Sequence, residues 1–138
     1  MTRRQQLENY IIGSCLCNRE HIKDTVVITP DIIINPLSRR IFELLPTLTS
    51  DEPINDIVNN PDKYGFDIVR HAAVLAGEYD FDWKKMLHNI QAKTSYLFGL
   101  CDKKPTKATF QDYVSQFLKY TYATTTETSR RTATRPAN

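Results

Sequence analysis

At 138 residues the chain is long enough for one domain with its own core and too short for two comfortable ones. Hydrophobic residues at 41% and charged residues at 25% are ordinary for a soluble globular protein, and four glycines are few for a β-rich or loop-rich architecture. The net charge of +2 lies wholly in residues 124–138, where Arg130, Arg131 and Arg135 face only Glu127, so the rest of the chain is neutral and lacks the clustered positive charge of a phosphate-binding surface.

The apolar residues Leu7, Tyr10, Ile11 and Cys15 recur at spacings of three and four, which predicts a first helix ending near Asn18. Gly13 lies inside it at a cost of about 1 kcal/mol relative to alanine, so it is expected to mark a close helix–helix contact. A second short helix is expected from Glu20 to about Val27, with Ile22, Val26 and Val27 inward; the β-branched run Thr25–Thr29 leaves a strand as the alternative. Pro30 ends it in either case.

Asn35-Pro36 reads as a helix start, with the asparagine as N-cap and the proline at a position where no donor is needed. The helix that follows carries Leu37, Ile41, Leu44, Leu45 and Leu48 on one stripe, and Pro46 should kink or end it. Ser38, Arg39, Arg40 and Glu43 occupy its other faces. Ile54, Ile57 and Val58 form a short segment stopped by Asn60-Pro61. Ile68, Val69, Ala72, Ala73 and Ala76 then give a helix with a small-residue face, expected to be central.

Two longer helices complete the pattern. Asp82 can cap the first, which carries Trp83, Met86, Leu87, Ile90, Leu97, Phe98 and Cys101. The second starts near Thr106 or Thr109 and carries Phe110, Tyr113, Val114, Phe117 and Leu118, with Tyr122 at its end. The short Pro105-containing turn between them predicts an antiparallel hairpin. Residues 123–138 are Thr-rich, basic and poor in large apolar side chains, and read as a flexible tail or the stub of a linker. The expected architecture is therefore all-α. It is a compact orthogonal bundle of about six helices over residues 1–122, with a head to about residue 79 and a long antiparallel hairpin over about 80–122.

The residues that carry chemistry are sparse. Gly13, Gly65, Gly77 and Gly99 are nowhere near the spacing of a phosphate-binding P-loop. His21, His71 and His88 are far apart and each lacks a second ligand at metal-binding spacing. Ser14, Ser38 and Ser95 lack nucleophile-elbow glycines. We therefore expect no enzyme activity, no cofactor and no metal. Cys15, Cys17 and Cys101 sit in apolar stretches and read as reduced thiols of a cytoplasmic protein, since no apolar run reaches membrane-spanning length.

Glu8-Asn9-Tyr10-Ile11-Ile12-Gly13-Ser14-Cys15-Leu16, then Pro30-Asp31, Asn35-Pro36-Leu37-Ser38-Arg39-Arg40-Ile41-Phe42-Glu43 and Pro53-Ile54-Asn55, follow one another in order and spacing. In this the stretch Leu7–Asn55 resembles the start of the N-terminal domain of DnaB-type replicative helicases. Ile33-Ile34 departs from the family's aromatic pair, Ser38 stands where a histidine is common, and the loop before Pro53 lacks the usual glycine. The ATPase motor is absent from the sequence. The resemblance implies a non-catalytic module that associates between copies and contacts helicase, primase or a helicase loader. The helical hairpin offers Trp83, Phe98, Phe110, Tyr113, Phe117 and Tyr120 as candidate contact residues, because aromatics are enriched at interface cores. Arg39 and Arg40 are candidates for an acidic partner or a phosphate, against a local pairing with Glu43. The alternative is a small helical nucleic-acid-binding or replication-regulatory protein using Arg3-Arg4, Arg39-Arg40 and the basic tail. Direct DNA binding is otherwise expected to be weak or absent.

Overall fold

The computed structural model describes residues 1–82, 84, 85, 88, 101, 103 and 105–134. Helix α1 (Arg3–Cys17) opens the chain, earlier than its first apolar residue. Thr2 and Gln5 form a capping box: the Thr2 side chain accepts the Gln5 N–H and the Gln5 side chain accepts the Thr2 N–H. Two donors that the helix cannot itself satisfy are thereby paired. Helices α2 (Pro36–Leu44), α3 (Ile54–Val58), α4 (Pro61–Tyr64), α5 (Phe66–Ala76) and α6 (Lys107–Thr134) follow, with 3-10 helix at Arg19–Thr25, Pro30–Ile32, Leu45–Thr47 and Gly77–Tyr79. Among the described residues there is no strand, and only an isolated antiparallel bridge joins Phe81 to Cys101. The chain is mostly helical and compact.

Helix α1 is the axis of the molecule. Every residue from Ile11 to Cys17 is buried, because α5 packs on one side of it and α6 on another. The α5 contact is close because of Gly13: a Cβ there would sit 2.3 Å from the Leu75 carbonyl oxygen. Ala72, Ala73 and Ala76 are buried and keep the neighbouring face of α5 equally low. The expectation of a close contact at Gly13 and a central small-residue helix is met.

Helix α2 is fixed at both ends by the residues that predicted it. The Asn35 side chain accepts N–H bonds from Leu37 and Ser38 at 2.9 and 3.1 Å, and Pro36 occupies the first turn. The helix ends at Leu44, and Pro46 sits in the 3-10 turn Leu45–Thr47 that follows. Ile41, Leu45 and Leu48 are buried, with Leu37 and Leu44 packed at the edge. Ser38 is also buried, where its hydroxyl meets His71 Nε2 at 2.7 Å.

Four expectations are corrected. The segment Arg19–Thr25 is helical but 3-10, so its face repeats every three residues: Ile22, Thr25 and Ile28 follow that spacing and pack inward, His21 is buried beside them, and Val26 and Val27 are exposed. Cys17 and Cys101 are joined in a disulfide with Cα atoms 5.8 Å apart, leaving Cys15 as the free, buried thiol. Spacing along the chain could not show this pairing, because 84 residues separate the partners.

The third correction concerns the C-terminal segment. Helix α6 does not stop near residue 122 but runs to Thr134. No Gly or Pro interrupts residues 107–134, so no residue there breaks the helical backbone. The fourth concerns Phe110 and Phe117, which are fully buried core residues. The first arm of the expected hairpin, with Trp83 and Phe98, lies outside the described residues. At its start, Asp82 Oδ1 accepts the Lys85 N–H at 2.9 Å, as a cap does.

Candidate interaction surface

The seam between α1 and α6 is built from pairs whose numbers rise on one helix and fall on the other, so the two run antiparallel. His21 stacks on Phe110 with ring centroids 4.4 Å apart, and Tyr10 stacks on Tyr113 at 5.6 Å. The Arg4 guanidinium lies 4.9 Å from the Phe117 ring centre, while its Nε donates to Thr121 Oγ1 at 3.2 Å. Arg3 reaches Gln116 Oε1 at 3.2 Å. Aromatic stacking, a cation over a ring and two side-chain hydrogen bonds thus fix the register over about three turns.

That register leaves α6 too long for its support. At about 1.5 Å per residue the 15 residues of α1 span about 22 Å and the 28 of α6 about 42 Å. Thr121 is already opposite Arg4, at the start of α1. The helix from Tyr122 to Thr134 therefore continues past the end of α1. Tyr120 and Tyr122, 47% and 51% exposed, stand where the two part company.

The candidate residues separate cleanly. Phe110 and Phe117 face α1 and the core, so they cannot present a surface to a partner. Tyr113 is half-buried against Tyr10. Tyr120 remains exposed in large part, and Tyr122 joins it. Arg39 serves the fold: its Nε donates to the Ile33 carbonyl at 2.9 Å and its Nη2 approaches that of Asp31 at 3.4 Å. These bonds hold the loop before α2 in place of a pairing with Glu43. Arg40 is exposed and available.

Sequence reasoning missed other exposed apolar residues. Phe66 and Val74 stand on the outer face of α5 with Arg70 between them, and Ile34 projects from the loop before α2. The four-residue spacing Phe66–Arg70–Val74, opposite the alanines, was the available signal.

Several buried polar groups are paired for structural ends, while Arg4 Nη1 and Asp24 Oδ2 are buried without a hydrogen-bond partner among the described residues. Ser14 Oγ and His21 Nδ1 share a hydrogen bond with both residues buried, and Tyr79 donates its hydroxyl proton to the Tyr10 carbonyl at 2.7 Å. Burial pushes the Tyr79 phenol and the Cys15 thiol above their ordinary ranges, the latter helped by the Asp24 carboxylate. Glu8 is 3% exposed; desolvation raises its carboxyl against the opposing pull of the Asn35 N–H and the Arg4 cation 3.7 Å away. Burial likewise lowers the His71 imidazole. Among the described residues no three His, Cys, Asp or Glu are grouped to hold a metal ion, and no helix is long and apolar enough to cross a membrane.

No family model, curated protein or solved structure matches this chain.

Proposed function

We propose that this chain is a non-catalytic interaction and oligomerisation module of a DNA replication machinery, working by contact through the exposed edge and overhang of α6. The overhang carries this reading. A solvated helix of about 12–15 residues is marginal in water, and most helices in proteins are stabilised by packing on something. The helix continues beyond Thr121, which already lies opposite Arg4 at the start of α1, and the exposed Tyr120 and Tyr122 lead into that continuation. A second copy or a partner protein supplies its support.

The replication context rests on the resemblance of Leu7–Asn55 to the N-terminal domain of DnaB-type helicases. The finer architecture proposed with it is an orthogonal bundle closed by a helical hairpin, with helicase, primase or a loader as partner and the cytoplasm as compartment. Capture of host extract on the full chain tests this: a replicative helicase, primase or loader is recovered, and is lost with the double substitution Tyr120→Ser and Tyr122→Ser. Recovery of none of the three contradicts the replication reading.

A second reading, nucleic-acid binding, draws on the continuation of α6 through the sequence that holds Arg130 and Arg131. It requires an affinity that falls steeply with salt. A gel-shift titration with no retardation at micromolar protein and low salt removes it.

A further inference from the structure

We infer that the start of α1 and the loop before α2 continue the contact surface of α6, and that this composite end receives a second copy of the chain. The two copies are related by a twofold axis, each laying its helix beyond Tyr122 over the other's cleft between Met1 and Ile34. This deepens the reading of α6 as the association element, on which it rests, by naming the partner and the surface it meets.

Arg4 builds that end. Its Nε donates to Thr121 Oγ1 on α6 at 3.2 Å, its Nη2 donates to the Ile32 carbonyl in the loop before α2, and its guanidinium lies over the Phe117 ring. Three separate stretches of chain are thereby held around one side chain. Glu8, one turn further along α1, ties the same loop. Its Oε1 accepts the Asn35 N–H at 3.4 Å, and its Oε2 lies 3.7 Å from Arg4 Nη1. Between α1 and the loop this leaves a cleft of about 350 Å³, lined by the exposed Met1, Ile34 and Pro36 and by Gln5, Asn9 and the buried Glu8. Of the eight large apolar residues exposed among the described ones, four belong to the stretches that Arg4 joins: Met1 at 82%, Ile34 at 63%, Tyr120 and Tyr122. Exposed apolar side chains gathered at one place mark a contact surface more than the same residues scattered singly.

A second copy is the occupant that fits. Helix α6 runs past the start of α1 and away from it, so a straight helix cannot return to the cleft of its own chain. In a twofold pair the donated part and the receiving part must both be present on every copy, and here they lie at the same end of the molecule. Their lengths agree: α6 extends about 20 Å from Thr121 to Thr134, and the stretch of α1 up to Asn9 that lines the cleft spans about 12 Å. By sequence, nine of the twelve residues 123–134 are Ala, Ser or Thr, and short residues let two packed helices approach closely. Met1 and Ile34 then lose water against the incoming helix, with Tyr120 and Tyr122 nearest the axis.

The test mixes isotope-labelled parent chain, at tens of micromolar, with unlabelled Arg131→Cys chain carrying a nitroxide on the introduced thiol. Cys17 and Cys101 are bonded to each other and Cys15 is buried, so the nitroxide is confined to residue 131. Broadening between copies is expected at the Gln5, Asn9 and Ile34 amides and not at Asn18, at the far end of α1. Broadening centred elsewhere overturns the surface, and so does its absence in a sample that sediments as a dimer. Ile34→Asp is the independent check. Because Ile34 is exposed, the dilute variant should keep the parent's thermal midpoint while its dissociation constant rises at least about tenfold. If Ile34→Asp associates as tightly as the parent while the Tyr120→Ser, Tyr122→Ser variant does not, the composite surface is overturned and the role of α6 stands. A parent chain that is monomeric at that concentration overturns the association reading of α6, and this surface with it.

Discussion

Gly13 and Glu8 show how single residues set the terms of packing here. At Gly13 an added methyl meets the backbone carbonyl of Leu75, which cannot swing away as a side-chain tip can. Overpacking typically costs about 1–3 kcal/mol, against a gain of about 1 kcal/mol in helix propensity for alanine. Gly13→Ala is therefore expected to lower the urea midpoint without changing the slope, and a midpoint equal to or above the parent's would contradict the close contact. Glu8 makes a prediction of the opposite sign. Its folded carboxyl is raised by desolvation, so its contribution to stability is fully present below the unfolded value and is lost as pH rises through the folded one. Glu8→Gln does not titrate at this position. The variant should gain on the parent as urea midpoints are compared from pH 4 to pH 7, and a constant difference across that range would refute the assignment. Gly13 was legible from its place in an apolar repeat. Glu8 was not, because its burial depends on the Asn35 loop folding back over α1.

At the level of elements, what could be read were the local signals: Asn35-Pro36 at the start of α2, Asn60-Pro61 after α3, and the alanine face of α5. Thr2 and Gln5 held a capping box in plain view, yet the start of α1 was sought at its first apolar residue. The faces of Arg19–Thr25 were misassigned because a 3-10 turn repeats every three residues and an α-helical period carries Val26 and Val27 to the wrong side. The disulfide and the inward aim of Phe110 and Phe117 are properties of how α6 meets α1, and no local pattern encodes them. This separates two kinds of aromatic on one helix. Phe117→Ala should destabilise the monomer by about 3–5 kcal/mol, as expected for a buried phenylalanine, and shift its thermal midpoint down at every protein concentration. Tyr120→Ser with Tyr122→Ser should leave the midpoint of dilute monomer within about 0.5 kcal/mol of the parent, as for surface positions, and weaken association instead. A large loss of monomer stability in the tyrosine variant would place those rings in the core.

For the whole molecule, the antiparallel seam between α1 and α6 sets where the proposed contact would fall. The head is an α1-centred core; α6 is held to it by stacked rings up to Thr121 and continues beyond. The disulfide across this junction also changes the compartment argument, because three reduced thiols no longer stand as the ground for the cytoplasm. The central claim is that the helix beyond Tyr122 is an association element, and sedimentation equilibrium of the oxidised chain beside one ending at Tyr122 tests it most directly. The full chain is expected to sediment as a dimer or larger species at tens of micromolar, and the shortened chain as a folded monomer with its thermal midpoint retained. A full chain that stays monomeric at that concentration, or a shortened one that associates equally well, would contradict the account.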